Sequence, residues 1–210
     1  MDFKKIETLI PTLTALGAGI YSFFKWVLPQ VKEIMTMIQM SNKRRMEEAT
    51  SEIVSIIYYM RDIINYTDAT NVMLFKAHNG GGPIEIGSWI YASLLYEVHK
   101  PGGNGLRSFF PPHNLDEEHI IMLNELQKNS ILNHSVKEMP QSNLKDILDG
   151  NGVMHEKAIG LFTAKDRSKY FYLSITFSKD ESEIKPAERA QIRALSNAIA
   201  NIYKKNSYYV

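Results

Sequence analysis

The sequence has 210 residues, of which 44% are hydrophobic and 22% are charged, and its formal net charge is +1 at pH 7. A nearly neutral chain lacks the concentrated basic surface that binds nucleic acid through bulk charge, so we expect no nucleic-acid partner. The sequence contains no cysteine. Disulfides, thiolate metal sites, thioether-linked haem or bilin groups and cysteine nucleophiles are therefore excluded.

The first informative segment is residues 8–24, which carry no charge and are followed by Lys25. A bilayer-spanning helix needs about 20 apolar residues, and residues 26–28 can extend the segment because Lys25 can reach the interface. We predict a membrane anchor, and the basic residues that follow it would place the C-terminal domain in the cytoplasm. The candidate anchor residues are Leu9, Leu13, Leu16, Ile20, Phe23 and Trp26.

An alternative for this segment is an amphipathic helix that never enters a membrane. The apolar residues of the segment also recur at spacings of three and four, which draws a stripe along one helical face. Such a helix would pack in an assembly, and the protein would then be soluble in the cytoplasm or part of a viral particle.

Residues 28–66 have the pattern of one or two long helices. A seam typical of a coiled coil, or of a helix packed on a domain, runs through Met46, Ala49, Ile53, Ile56, Met60 and Ile63. Extended backwards, the seam meets Asn42, so we predict a break or solvated linker at residues 42–45. The predicted domains are an N-terminal hydrophobic helix with a basic linker, residues 1–45, and a folded domain, residues 46–210.

A β-hairpin is predicted next. Its first strand covers residues 72–77, a glycine-rich turn with Pro83 follows, and its second strand covers residues 84–92. Residues 93–99 fit either a continued strand or a short helix. Polar side chains at the rim of this hairpin and just beyond its second strand are candidate ligand contacts, namely His78, Asn79, Tyr91, Tyr96 and Glu97.

These residue types also have a purely structural explanation. His78 and Asn79 can stabilise the turn through backbone contacts of their own, as asparagine commonly does. Glu97 can likewise be a buried partner of His78. The sequence leaves both explanations open.

Later elements are marked by caps, turns and periodicity. Asn114 can cap a helix with an acidic first turn, and Ser142 can begin a shorter helix that ends near Gly150. Two alternating runs, residues 153–164 and 170–177, predict a second hairpin. Pro186 suits the first turn of a closing helix whose apolar stripe is Ile192, Leu195, Ile199 and Ile202. The pattern predicts an α+β fold in which the terminal helices cover one face of an antiparallel sheet.

Residues 46–205 resemble the GAF domain, a relative of the PAS-type sensor folds, in their order of elements. More narrowly, Phe75, the turn His78-Asn79-Gly80 and the pair Tyr96-Glu97 resemble small GAF-like proteins of bacteria and their phages. Those proteins carry a Phe-x-x-His-Asn-Gly turn and an aromatic–Glu pair, often behind an N-terminal hydrophobic segment. This sequence departs from them in its three successive glycines and Pro83. The resemblance implies a sensory or ligand-holding fold, without indicating a ligand or an activity.

No catalytic or metal-binding motif is present in the sequence. The six histidines are scattered without the paired spacings that place metal ligands on one helical face. Ser-x-x-Lys and Gly-x-Ser-x-Gly elements are absent, and so is a glycine-rich phosphate loop ending in lysine. We therefore expect a protein that is not an enzyme and that needs no metal or cofactor.

Two functions follow as hypotheses. The first is a membrane-anchored, GAF-like sensory or small-ligand-binding module that acts through oligomerisation of its N-terminal helices or through a partner. The second is a non-enzymatic structural or interaction protein, of which a phage-encoded protein is one form. In the second, the GAF fold is only a scaffold and the N-terminal helix assembles copies.

Overall fold

The computed structural model describes residues 25, 28–79, 89–111, 113–164, 168–180 and 184–206. The helices are α1 (Leu28–Tyr66), α2 (Glu117–Asn129), α3 (Asn143–Gly150) and α4 (Pro186–Asn206). The strands are β1 (Ala69–His78), β2 (Tyr91–His99), β3 (His113–Asn114), β4 (Ile131–Ser135), β5 (His155–Thr163) and β6 (Lys169–Phe177). Short 3₁₀ turns cover Arg107–Phe109 and Val136–Glu138.

Helix α1 is continuous through residues 42–45, so the predicted break there is wrong. The polar residues that interrupt the apolar seam still form helix, because Lys43 pairs with Glu47 and Arg44 pairs with Glu48 one turn later. The chain separates into two compact units, Met1–Ser51 and Glu52–Val210. The domain boundary drawn between residues 45 and 46 stays a prediction.

The predicted anchor residues, Leu9, Leu13, Leu16, Ile20, Phe23 and Trp26, lie outside the described residues. Within the ranges that are described, no helix combines the length and the apolar character needed to cross a membrane.

The described strands form one antiparallel sheet in the order β3-β2-β1-β6-β5-β4. In the β1–β2 pair, Phe75 lies opposite Leu94 but Leu74 lies opposite Tyr96, which leaves Leu95 as an extra residue. Such a β-bulge shifts the alternation of side chains along the strand by one residue. Leu94 therefore faces one side of the sheet, whereas both Leu95 and Tyr96 pack on the other side.

The outer face of the sheet, as we call the side covered by α1 and α4, has an aliphatic core. Helix α1 contributes the C-terminal part of its seam, and α4 contributes the stripe centred on Ile192 and Ile199. The buried strand residues beneath them are Ala69, Val72, Leu74, Ile159, Leu161, Leu173, Ile175 and Phe177. The prediction that the two terminal helices cover one face is confirmed.

The inner face is covered by α2, α3 and the segments that join them to the sheet. Its core contains Met73, Phe75 and Tyr172 from the central strands together with Leu123 and Leu126 from α2. Ser142 caps α3 as predicted, since its Oγ accepts a hydrogen bond from Lys145 N. The cap of α2 is Asp116 rather than Asn114, because Asn114 belongs to β3.

Candidate functional site

Three of the sequence-predicted site residues lie together at one end of the β1–β2 pair. His78 is opposite Tyr91, and their rings stack with centroids 5.9 Å apart. His78 Nε2 lies 3.1 Å from Ser93 Oγ. Asn79 directly follows β1. Burial, together with the nearby charges of Lys76 and Lys169, holds the pKa of His78 below its usual value. The glycine-rich turn and residues 84–88 of the strand predicted over residues 84–92 lie outside the described residues, and residues 91–92 of that strand belong to β2.

The other two, Tyr96 and Glu97, lie inside β2. The sequence had predicted them just beyond the second strand, because that strand was expected to end at residue 92. Glu97 is opposite Met73, five residues along β1 from His78, which is about 17 Å. Its carboxylate accepts hydrogen bonds from Asn71 Nδ2 and from the backbone N–H groups of Leu106 and Arg107. Glu97 therefore closes the loop after β2, and the structure does not bring the five candidates into one pocket. Ligand contact by any of them stays a prediction.

A polar cluster occupies the inner face at its other edge, where β4, β5 and β6 meet. Glu156 of β5 is only 1% exposed, and its Oε1 accepts a hydrogen bond from Ser174 Oγ. Its Oε2 lies 3.5 Å from Nδ1 of His134, the residue opposite Glu156 in the β4–β5 pair. Cross-strand register thus places a carboxyl and an imidazole side by side beneath α2.

The charges of Glu156 and His134 stabilise each other. Burial alone raises the pKa of Glu156, but the hydrogen bonds with His134 and Ser174 outweigh burial and hold that pKa below its usual value. The same hydrogen bond raises the pKa of His134, against the smaller effect of burial. The pair therefore favours a carboxylate beside an imidazolium.

A second histidine reaches the same region from α2. His119 is buried, and its Nε2 lies 3.0 Å from the hydroxyl of Tyr172, whose pKa burial raises well above its usual value. The position of His119 is set by Asp116, whose Oδ1 accepts from His119 N and whose Oδ2 accepts from Asn143 N. One carboxylate thus ties the first turns of α2 and α3 together.

A cavity of about 130 Å³ lies between α2, β4 and the segment before α3. We call it the α2–β4 pocket. Its polar wall consists of Glu118, His119 and Glu125 from α2, His134 from β4 and Ser142 at the start of α3. Because Glu156 balances the charge of His134, the carboxylates of Glu118 and Glu125 leave this wall negative, which suits a compact polar ligand that carries positive charge. Among the described residues, no group of three or more His, Asp or Glu side chains is arranged to hold a metal ion.

The centre of the inner face is filled by aromatic side chains. Phe75 stacks on Tyr172 and meets the edge of Phe110, with both centroid separations at 5.2 Å. These rings occupy the space between the central strands and the inner covering. The α2–β4 pocket therefore lies toward the β4 edge of the sheet.

Sequence reasoning missed His119, His134 and Glu156 because their proximity depends on strand register. Strand β4 was not predicted, so His134 had no assigned position. One local signal was available: Glu156 is an acidic residue two positions before the inward-facing Ala158 of the same strand. A carboxylate at an inward strand position indicates a buried polar cluster.

No protein-family model matches the sequence, and no curated protein matches it significantly. Solved structures do match. The GAF domain/HD domain protein from Geobacter sulfurreducens is 12% identical with a TM-score of 0.54, covering 74% of this chain and 93% of that chain.

Two further solved structures show the same likeness. The blue-light absorbing form of the Thermosynechococcus elongatus PixJ GAF-domain is 8% identical with a TM-score of 0.54, over 77% of this chain and 89% of that one. The GAF domain of a two-component sensor histidine kinase from Bacillus halodurans is 14% identical with a TM-score of 0.51, over 73% and 95%. Together with the sheet order and its two helical coverings, these likenesses establish that the chain has a GAF-like α+β fold.

Proposed function

We propose that this protein is a non-enzymatic sensory or small-ligand-binding module whose ligand site is the α2–β4 pocket. One observation carries the proposal: the buried Glu156 with its partner His134, and the His119–Tyr172 contact, lie beside a cavity with further carboxylates on its wall. Titratable groups with shifted pKa values in a cleft are candidates for functional sites. A purely stabilising role explains such a pair less well, because the cost of desolvating the two charges offsets much of their attraction.

The pocket limits the ligand to a compact one. A volume of about 130 Å³ lies below the range of about 300–1,000 Å³ that is typical of small-molecule sites. Glu118 and Glu125 lie at the wall, so a small amine is the chemistry that fits best.

Titration with a series of small amines, from methylammonium to 1,4-diaminobutane, tests the site. We expect saturable changes in the amide NMR signals of α2 and β4 for one or more of them. Glu118→Gln should abolish the response. Glu117→Gln is the matched control, because Glu117 precedes it in the same turn but is exposed and not part of the wall. No saturable response to any amine, or equal loss in both variants, would remove the pocket from the proposal.

A sensory module also needs a route for its output, and we assign that route to self-association through α1. The buried seam of α1 continues toward its N-terminus as an exposed apolar stripe, which includes Val31, Ile34, Met35, Ile38, Met46 and Ile53. Asn42 lies in the same stripe by its spacing of four from both Ile38 and Met46. A single asparagine in such a seam fixes register and oligomer state in coiled coils.

The self-association claim is tested by paired substitutions in α1. Met35 and Met40 are both exposed, at 56% and 68%, but their spacing of five residues places Met40 away from the stripe. By light scattering after size exclusion, Met35→Glu should lower the oligomer mass to that of a monomer. Met40→Glu should leave the mass unchanged. If both variants keep the mass of the parent chain, α1 is not the route.

We also propose that residues 8–28 attach the protein to a membrane. This part of the proposal is based on the apolar sequence of the segment alone. We compare the full chain with a variant that begins at Met46. Pelleting of the full chain with membranes, and its release only by detergent, would support an anchor. Large assemblies of the full chain that stay in the supernatant would assign the segment to assembly instead.

The second candidate function is a structural or interaction protein in which the fold is a scaffold. The aromatic filling of the inner face by Phe75, Phe110 and Tyr172 favours it, since these rings pack against one another at the centre of that face. The exposed stripe of α1 would then be its assembly surface. Normal assembly in a Glu118→Gln variant that binds no amine would support this candidate over the sensor.

A further inference from the structure

A groove of about 970 Å³ lies on the outer face, between α4 and the edge formed by β4 and β5. We call it the α4 groove. The sheet separates it from the α2–β4 pocket, since alternate residues of β4 and β5 face the two sides. Three cationic side chains line it, namely Lys157, Arg189 and Arg193. Among the described residues, its wall contains no aspartate or glutamate.

Lys157 is the deepest of the three cations. It is 7% exposed, and it is the one buried lysine or arginine among the residues that the structure describes. Its Nζ donates to Oδ1 of Asn133, the residue opposite it in the β4–β5 pair. Lysine is almost never fully buried in folded proteins, and the hydrogen bond with Asn133 fixes this ammonium group at the floor of the groove.

The two arginines lie above this floor on α4. They are four residues apart and therefore share a helical face. Arg189 Nε donates to the carbonyl oxygen of Ile184 at 3.2 Å, which orients its guanidinium. Guanidinium groups bind phosphate and carboxylate oxygens in pairs of parallel hydrogen bonds.

A buried hydroxyl gives a second, independent indication of a ligand. Ser196 also lines the groove and is 2% exposed, yet its Oγ has no hydrogen-bond partner among the described residues. An unsatisfied buried hydroxyl costs free energy, and most buried polar groups in folded proteins have a partner. An oxygen of a bound ligand would supply that partner.

We propose that the α4 groove binds an organic phosphate. Its phosphate group lies against Lys157, Arg189 and Arg193 and is reached by Ser196. Its organic part packs on the apolar wall of Ile131, Ile159 and Ile192. The volume exceeds what a bare phosphate needs and falls within the range of small-molecule sites, about 300–1,000 Å³. The inference does not depend on the α2–β4 pocket, which lies on the opposite face.

Phenyl phosphate is the test ligand, with inorganic phosphate as the bare anion, and binding to the full chain is measured by calorimetry. We expect saturable binding of phenyl phosphate that is tighter than that of inorganic phosphate. Arg193→Gln should weaken it by about tenfold, and Ser196→Ala by about threefold. Arg193 is exposed, so its replacement does not disturb the core. Lys205→Gln, which removes one exposed charge from the same helix outside the groove, should leave binding unchanged.

Four results would overturn the proposal. Absence of saturable binding would do so, as would equal weakening by Lys205→Gln and Arg193→Gln, which would indicate diffuse charge attraction. Arg193-dependent pelleting with anionic vesicles would assign the groove to a membrane surface. An Arg193-dependent change in oligomer mass without phosphate binding would assign it to a second copy of the chain. In each of these measurements the Glu118→Gln variant serves as the control for the opposite face of the sheet. Failure of the phosphate proposal is therefore distinguishable from failure of the amine site.

Discussion

The two faces of the sheet differ most clearly at two neighbouring residues of β5. Glu156 is buried on the inner face and Lys157 on the outer face, so the alternation of the strand separates opposite charges. Strand β4 supplies a partner to each, His134 for the carboxylate and Asn133 for the ammonium. The comparison teaches that both polar clusters lie toward the β4 edge of the sheet, and that Ser174 of β6 completes the inner one. The central strands supply the core.

The largest effect should follow from a change in the apolar core of the outer face. Leu173 is fully buried at the centre of the sheet, and Leu173→Ala leaves a cavity there. We expect a loss of about 2–5 kcal/mol in the free energy of unfolding, measured by chemical denaturation. Ile121→Ala, at an exposed position of α2, is the control and should change it by less than about 0.5 kcal/mol. Equal losses at both positions would contradict the assigned core.

On the inner face, Glu156→Gln should have the next largest effect. The neutral side chain keeps the shape but loses its attraction to His134 and its charge-assisted hydrogen bond with Ser174. We expect a loss of about 1–3 kcal/mol in the free energy of unfolding at neutral pH. A variant as stable as the parent would mean that the buried carboxylate is not stabilised by its partners.

The neighbouring charge on the outer face should respond differently. Lys157→Met preserves an unbranched side chain of similar length and removes the cost of burying an ammonium group. The free energy of unfolding should stay within about 1 kcal/mol of the parent value. Phenyl phosphate binding should be lost in the same variant. A strongly destabilised Lys157→Met protein would make Lys157 a structural residue and break the contrast with Glu156.

The smallest effect is a pH dependence of stability. The pKa of Glu156 is lowered, so its contribution is complete above 4.5 and is lost as pH falls through the lowered value. The pKa of His134 is raised, so its contribution is complete below 6.5 and is lost as pH rises through the raised value. The pair therefore stabilises the fold most between about pH 4.5 and 6.5.

Thermal unfolding of the parent and of His134→Gln should differ most in that pH window. The difference should shrink as pH rises further, because the imidazole is then neutral in both the folded and the unfolded chain. His99→Gln, at the exposed end of β2, controls for loss of an unrelated histidine. A difference that grows with pH would reverse the assigned sign.

Much of the fold could be predicted because its cores follow local periodicity. The stripes Ile56, Met60, Ile63 and Ile192, Ile199 mark the faces of α1 and α4 that pack on the sheet. The predicted strands over residues 72–77, 153–164 and 170–177 correspond to β1, β5 and β6. These predictions hold because burial of one face imposes a period of 3.6 or 2 on the sequence.

The sites could not be predicted in the same way. The β4 residues Asn133 and His134 lie more than 20 positions before their partners in β5, and only the register of the β4–β5 pair brings them together. The hairpin candidates failed to converge for a related reason. A strand running to His99 places Glu97 at the opposite end of the β1–β2 pair from His78.

The bulge at Leu95 has a practical consequence for labelling experiments. Within β2, the residues that point to the inner face are even-numbered up to Leu94 and odd-numbered from Glu97 onward. A fluorophore or spin label positioned by counting in steps of two from Ala92 would therefore change faces when it reaches Tyr96. Because the chain has no cysteine, single cysteines at positions 94 and 96 offer attachment points on opposite faces. Signals from the two attached labels would report the two coverings of the sheet separately.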